Sequence, residues 1–407
     1  MLPGQRDDPD RLGRHSLRTL LVTANFPPGV GGSGRWFWEL YRRLPREEFL
    51  VAAGEALGQE DVDRASDIRV VRLPLALREW GVHSPVAAWA YGRAVRSLLG
   101  MVRRERVEVV HSGRPLPEGL MALTVSTLAG IPYLCYVHGE EMNIAASSRE
   151  LTWLARRVLG RAALVIGNSR NTETILRRDW RLSSQRLRVL HPGVDTQRFV
   201  PAPRDPEMRA RLGWADRRVI LTVGRLQRRK GHDHLIRALP AIRKQAPDVL
   251  YAIVGDGEEH TTLRELVRRE GVTDAVQFLG ELDDAMLVRC YQQCDLFVLP
   301  NREVDGDIEG FGIVLLEAQA CGKPVVAGES GGTTETMRVG ETGDIVDCST
   351  VQPLIESVSG LLLDSGRRSR MGEAGRAWMV ERFDWSVLSR QARQIFMETH
   401  RVARNAR

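Results

Sequence analysis

Four short segments hold residues able to do chemistry. The richest reads Asp305-Gly-Asp-Ile-Glu-Gly-Phe-Gly-Ile-Val-Leu-Leu-Glu317. It sets Glu309 in a glycine-rich turn and Glu317 eight residues on, within a helix expected to start near Gly312. Gly310 and Gly312 let backbone amides come close to a ligand. The free N–H groups at the positive end of the helix then face that ligand. A turn-plus-helix spacing implies no fixed distance between the two carboxyl groups, so a two-acid hydrolase is not read from it. Asp305, Asp307 and Glu309 imitate a metal–diphosphate pair or the start of a calcium loop. The twelfth position of that loop is Leu316, however, and Glu317 misses it by one. No metal site is expected here.

The second segment is Gly224-Arg-Leu-Gln-Arg-Arg-Lys-Gly231, between an apolar run and a helical pattern. Arg225 and Lys230 bring the positive charge that holds a departing diphosphate through charge-assisted hydrogen bonds. The phosphate loop pattern G-x-x-x-x-G-K-[ST] is absent. The third, Gly29-Val-Gly-Gly-Ser-Gly34, fits the dinucleotide pattern G-x-G-x-x-G, with Glu55 about 20 residues later. Asn25-Phe-Pro-Pro28 lengthens the turn beyond a normal dinucleotide loop, so a phosphate or sugar is preferred to a nicotinamide cofactor. The fourth is His138, at the expected carboxyl end of a strand and so on the ligand edge of an α/β sheet.

These segments must be positioned by two series of alternating strands and helices. The first series puts strands at residues 19–24, 51–53, 68–73, 107–111, 133–137, 164–166 and 187–190. Helices are expected at 34–44, 86–104 and 149–160. Three prolines within 200–206 (Pro201, Pro203, Pro206) mark an extended linker. The second series puts strands at 219–223, 249–254, 275–278, 296–299 and 324–327, and a long basic helix covers 384–404. Two such units in a chain of 407 residues predict two doubly wound domains facing a cleft.

Composition bounds the function. The chain is 43% hydrophobic and 27% charged, and no apolar run reaches the roughly 18 residues of a membrane span. The first 17 residues are polar and mixed in charge, so no signal peptide is expected and the expected compartment is the cytoplasm. Five cysteines without a C-x-x-C pair give no zinc pattern; Cys290 and Cys294 read as small, half-buried helix residues. Residues 1–200 hold 29 Arg against 21 Asp and Glu, whereas residues 201–407 hold 29 basic against 31 acidic residues. Arginine-rich solubility and an anionic partner both account for the basic first half.

Taken together, the segments resemble the family-four retaining glycosyltransferases of the GT-B fold. The resemblance rests on Pro27, Pro28, Gly31 and Gly32, on His138-Gly139, Asn168-Ser169 and His191-Pro-Gly-Val-Asp195. It continues through Gly224-Arg225, Lys230-Gly231, Val254-Gly-Asp-Gly-Glu258, Phe278-Leu-Gly280, Glu309-Gly-Phe-Gly and Glu317-Ala. It ends with Pro324, Gly331-Gly332 and Gly340-Glu-Thr-Gly343. It implies an N-terminal acceptor-side domain over 1–198 and a donor domain over 199–383. Residues 384–407 would form a helix returning to the first domain. It implies that Glu317 accepts the donor ribose hydroxyls and that Glu309 lies against the donor sugar. Phe311, Gly312 and Ile313 would line the sugar and phosphate pocket, Leu282–Asp284 the base, and Gly32 and His138 the opposite wall. Arg225 and Lys230 would neutralise the diphosphate. Implied too are a UDP- or GDP-linked hexose donor, a metal-independent retaining transfer, no cofactor, and no nucleic acid. The turn Gly331-Gly-Thr-Thr-Glu335 departs from the family, where many members carry an aliphatic residue and proline.

The acceptor is a hydroxyl compound, with a lipid or a glycan both open. On the helix at 34–44, Phe37, Leu40, Tyr41 and Leu44 form a core stripe. Trp36 and Trp38 flank it, and with Arg35, Arg42 and Arg43 they form a candidate contact with a lipid head-group layer, peripheral to the inner face of the cell membrane. Packing under neighbouring loops is the competing reading. Residues 55–100 match no known motif. Two rival functions are a dinucleotide-dependent oxidoreductase using 29–34, which leaves the other segments idle, and a sugar-nucleotide sensor without catalysis.

Overall fold

The structure, a computed structural model, describes residues 18–29 and 32–405. The first 17 residues and Val30 and Gly31 of the glycine-rich turn lie outside the described residues. Chain order in the first half is β1 (Thr19–Thr23), α1 (Gly32–Tyr41), β2 (Phe49–Gly54), α2 (Gln59–Ala65), β3 (Arg69–Leu73) and α3 (Pro85–Glu105). There follow β4 (Val109–Ser112), α4 (Glu118–Ala129), β5 (Tyr133–Val137), α5 (Glu140–Ala146), α6 (Arg149–Arg161), β6 (Leu164–Gly167), α7 (Arg170–Arg178) and β7 (Leu187–Val189). The second half runs α8 (Pro206–Arg211), β8 (Arg218–Val223), α9 (His232–Gln245), β9 (Val249–Val254), α10 (His260–Arg269), β10 (Val276–Gly280) and α11 (Asp284–Gln293). It ends β11 (Leu296–Leu299), α12 (Ile313–Ala320), β12 (Val325–Gly328), β13 (Gly343–Val346), α13 (Gln352–Leu363), α14 (Ser365–Trp378), a π-helical turn (Met379–Phe383) and α15 (Trp385–Asn405).

Both sheets are wholly parallel. The first has strand order β3-β2-β1-β4-β5-β6-β7 and the second β10-β9-β8-β11-β12-β13. Continuous apolar strands such as Val249–Val254 are buried along their whole length, as a sheet covered on both faces requires. The order reverses at β1/β4 and at β8/β11, which makes the carboxyl ends of those strands the switch points where ligands bind. Among the described residues no helix is long and apolar enough to cross a membrane.

The aromatic residues of α1 are not a lipid-facing set. Trp36 is 1% exposed and packs edge-on against Tyr136 and His138, with centroids 5.4 and 5.2 Å away. Trp38 leans edge-on against Phe26 at 5.7 Å. Arg42 and Arg43 are bound to Glu39 and Asp195 rather than offered to a surface. The candidate head-group contact of α1 is therefore corrected: aromatic packing and ion pairing hold these side chains in the protein. Cys290 and Cys294, expected as half-buried, are fully buried in the second core.

The chain crosses between the halves twice, side by side. Val194 N–H donates to the Phe383 carbonyl at 2.9 Å, and Thr196 Oγ1 donates to Asp384 Oδ2 at 2.6 Å. From there α15 returns to the first sheet, where Phe396 stacks on Tyr41 and packs against His111, with centroids 6.0 and 4.5 Å away. Arg393 pairs with Glu48 at 2.7 Å and fastens its solvent side.

Candidate active site

A cleft of about 510 Å³ lies between the carboxyl edges of the two sheets, within the size range of a small-ligand site. The first half contributes Gly32, Trp80, Arg114, His138, Glu140 and Asn168. The second contributes two loops, the one after β8 with Arg225, Arg229 and Lys230, and the one after β11 with Asp307, Glu309 and Phe311 through Ile313. Of the residues read from the sequence, Gly32, His138, Arg225, Lys230, Glu309, Phe311, Gly312 and Ile313 are thus brought to one cavity. Glu317, Leu282 and Asp284 do not line it.

Glu309 is 7% exposed and accepts from Arg229 Nη1 at 2.9 Å and from Lys230 Nζ at 2.5 Å. Burial alone would push its carboxyl up; Lys230 and Arg229 outweigh that and hold it below the ordinary glutamate range. Arg229 also reaches Asp307 at 3.1 Å and Glu140, across the cleft, at 3.4 Å. Arg225 differs. It is exposed, and among the described residues its side chain makes no ion pair. One cleft wall therefore carries two cations balanced by carboxylates and one that is not.

The backbone of this wall depends on glycine at two points. Gly312 caps α12 with φ +92°, a conformation costly for other residues, and leaves the first N–H groups of that helix directed at the cleft. Gly331 has φ +62°, and a Cβ there would stand 1.7 Å from the Glu309 carbonyl oxygen. The turn that departs from the family pattern thus presses on the strand-to-helix loop that holds Glu309.

On the opposite wall His138 follows β5 and is half-buried, with Trp36 and Phe37 edge-on to its ring. Its Nε2 lies 2.9 Å from the Gly113 carbonyl, which assigns the proton to Nε2 and leaves Nδ1 an acceptor. Burial holds its pKa down at about 4, so the ring is neutral at pH 7.

Glu317 lies on α12, 4% exposed. Tyr291 donates its hydroxyl to Oε2 at 2.7 Å, and Arg35 of α1 approaches Oε1 at 3.4 Å from the other half of the molecule. Burial pushes this carboxyl up, against the pull of Arg35 and Tyr291. Leu282 packs on the second core and Asp284 pairs with Arg198 at 2.7 Å.

Sequence reasoning missed four participants. Arg229 stands beside Lys230 in the motif, yet nothing local separated it from a solvated arginine. Arg35 and Tyr291 reach Glu317 from 282 and 26 positions away. Glu335 accepts from the Arg170 and Asn171 amides at the start of α7, at 2.8 and 3.0 Å, and from His191 Nε2 at 2.9 Å. It clasps the two halves beside the cleft. The segment His191-Pro-Gly and the unusual Gly331–Glu335 turn were both visible, but their meeting was not.

Both halves of the chain match known proteins. Residues 204–378 match the family model of the glycosyl transferases group 1, and residues 30–198 match that of glycosyltransferase family 4. A GDP-mannose-dependent alpha-(1-6)-phosphatidylinositol monomannoside mannosyltransferase of Mycolicibacterium smegmatis is 35% identical over 404 residues, covering 95% of this chain and 100% of that one. A GDP-mannose-dependent monoacylated alpha-(1-6)-phosphatidylinositol monomannoside mannosyltransferase of Corynebacterium glutamicum is 32% identical, covering 95% and 99%. Among solved structures, HepE of Anabaena in complex with UDP superposes with a TM-score of 0.80 at 22% identity, covering 94% of this chain and 100% of that one. Sucrose-phosphate synthase of Thermosynechococcus elongatus gives 0.75 at 21%, covering 94% and 98%. The fold is GT-B.

Proposed function

The chain belongs to the group 1 glycosyl transferases and is a nucleotide-sugar-dependent hexosyltransferase, and from that premise we propose that it transfers mannose from GDP-mannose to a lipid-linked acceptor with retention at the anomeric carbon. The choice of donor and acceptor follows relatives similar to this chain from end to end, whose names specify GDP-mannose and phosphatidylinositol monomannoside. Residues 1–198 would serve the acceptor, 199–383 the donor, with 384–407 returning to the first domain, and the enzyme would work at the inner face of the membrane.

The observation that carries the mechanism is the unpaired Arg225 on the same wall as Lys230 and the N-terminus of α12. As the bond between the anomeric carbon and the phosphate oxygen breaks, its electron pair leaves with the diphosphate. Arg225, Lys230 and the helix amides stabilise that charge in place, without need of a metal ion. The acceptor hydroxyl bonds to the anomeric carbon on the face the diphosphate leaves, and its proton passes to the departing phosphate oxygen. Glu309 fixes Lys230 and lies against the sugar with Phe311, Gly312 and Ile313. Neutral His138 and Gly32 face the sugar from the other wall. Glu317 takes the ribose hydroxyls, and Leu282 and Asp284 border the base.

A thermal-shift panel of nucleoside diphosphates and their mannose and glucose derivatives tests the donor. GDP and GDP-mannose in excess should raise the melting temperature more than UDP and UDP-glucose do. Transfer undiminished by a chelator is expected, and stabilisation by UDP alone would refute the GDP assignment.

A further inference from the structure

An exposed aromatic and basic face on the first domain has no part in the donor chemistry. Val86 and Trp89 at the start of α3 are 74% and 66% exposed, and Trp153 at the start of α6 is 58% exposed. Helices that connect parallel strands run antiparallel to them, so the starts of α3 and α6 lie at the carboxyl edge of the sheet, on the rim of the cleft. Hydrogen bonds join these starts. Glu150 of α6 accepts from the Val82 amide at 2.7 Å and pairs with His83 at 2.5 Å, just ahead of α3. Thr152 donates to the Ala145 carbonyl at 3.0 Å, which ties α6 to α5 and its half-exposed Ile144. Ile144 and Trp80 both line the cleft, and Tyr91 of α3 donates to the Trp80 carbonyl at 2.8 Å. These bonds set the starts of α3 and α6 beside α5 and Trp80, so that the exposed apolar side chains lie near the cleft mouth.

Charge selects the occupant. The helices α3 and α6 carry eight arginines against two glutamates. Arg93 lies over the Trp89 ring at 5.6 Å and Arg157 over the Trp153 ring at 5.2 Å. Large aromatics beside cations with aliphatic stems suit the boundary between acyl chains and phosphate head groups.

We propose that Val86, Trp89, Ile144 and Trp153, with Arg93 and Arg157, seat the first domain on an anionic lipid bilayer and hold the cleft mouth against it. A head-group acceptor then enters the cleft past Trp80 while its acyl chains stay in the bilayer; this second step rests on the lipid-linked acceptor proposed above.

Flotation of the full chain with vesicles of phosphatidylcholine, with and without phosphatidylinositol, tests the seat. Binding to the anionic vesicles at low salt is expected, weakening as salt rises. The variant Trp89→Ala/Trp153→Ala should partition at least about tenfold less. Arg93→Gln/Arg157→Gln should lose about fivefold per arginine and show a shallower salt dependence. Leu128→Ala, an exposed apolar side chain at the far end of α4, should float like the unaltered protein. Equal flotation of the tryptophan variant, equal binding to neutral vesicles, or no binding by the unaltered chain overturns the proposal. Stabilisation by GDP-mannose in the same variants shows that they are folded. Loss of that stabilisation in the unaltered chain would sink the donor reading and leave the flotation result standing.

Discussion

At the switch point of the second sheet, two loops gather Arg225, Arg229, Lys230 and Glu309 on one wall of the cleft. At the switch point of the first, among the described residues, the matching loops bring one cation to the cleft, Arg114, which pairs with Glu118 at 3.0 Å. There Trp36, Phe37 and Tyr136 pack beneath a neutral His138 whose proton is spent on the Gly113 carbonyl. The topology is the same and the electrostatics differ. The second wall gathers three cations, whereas the first sets Arg114 and Glu140 around a histidine held by aromatic packing. A transfer reaction needs both: a wall that follows the charge of the leaving group and one that holds the reacting atoms still.

The sharpest way to break this comparison is to remove charge from the second wall. Arg225→Ala should lower kcat by about 10²–10³, roughly 3–4 kcal/mol in barrier, as loss of an oriented charge does. Its melting temperature should stay put, because the side chain is exposed and unpaired. Lys230→Ala should lose activity to a similar degree and also stability. That second loss stays below the ~3–5 kcal/mol of a buried charge left alone, since Arg229 still faces Glu309. Steady-state kinetics with calorimetry on both variants separate the two effects. Equal stability losses would contradict the distinction between paired and unpaired cations.

The first wall should show itself through acid. An unfolded histidine takes up a proton below about pH 6.5, whereas folded His138 resists until about 4. Stability from keeping the ring neutral in the fold is thus undiminished above pH 6.5 and drains as pH falls toward 4, by up to about 3 kcal/mol. Glu309, held low, behaves in the opposite sense to an unpaired buried acid, and its contribution is lost only below the ordinary glutamate range. His232, buried under the second sheet against Tyr251 and also held at about 4, adds a like slope. Urea unfolding at pH 7 and pH 5 with His138→Gln should therefore show a smaller acid loss than the unaltered chain, but not its abolition. An unchanged slope would remove His138 from the account.

Two smaller tests probe what joins the walls. Gly331→Ala should cost at least about 2 kcal/mol, because the added methyl meets the Glu309 carbonyl and the backbone there is left-handed. Chemical denaturation reads it directly. Glu335→Gln removes the charge that caps α7 and faces His191, for about 1 kcal/mol. Its unfolding midpoint should fall slightly while kcat with saturating donor holds.

The same contrast explains what the sequence disclosed. The strands at 249–254 and 296–299 were legible to the residue, because unbroken apolar runs flanked by polar turns leave few alternatives. Strand β13, Gly-Asp-Ile-Val at the sheet edge, was not seen, since four residues with a glycine and an acid carry no strand period. Arg225, Lys230 and Glu309 of the second wall were legible because they sit in two continuous loops. On the first wall Gly32 and His138 were legible, but the packing of Trp36, Phe37 and Tyr136 beneath the histidine was not, because it joins α1, β5 and the loop after β4, each unremarkable alone. For the same reason Trp36 and Trp38 looked like a surface pair, while the exposed Trp89 and Trp153 drew no attention. Periodicity tells which residues share a helix face, but not which neighbour covers it.

The central claim is that an unpaired guanidinium on a balanced wall meets the donor diphosphate. Calorimetric titration of GDP into the unaltered chain and into Arg225→Ala, across a range of salt, tests it most directly. The account predicts binding that weakens with salt in the unaltered chain, and binding at least about tenfold weaker with a flatter salt dependence in the variant. Equal affinities and equal salt slopes would contradict it.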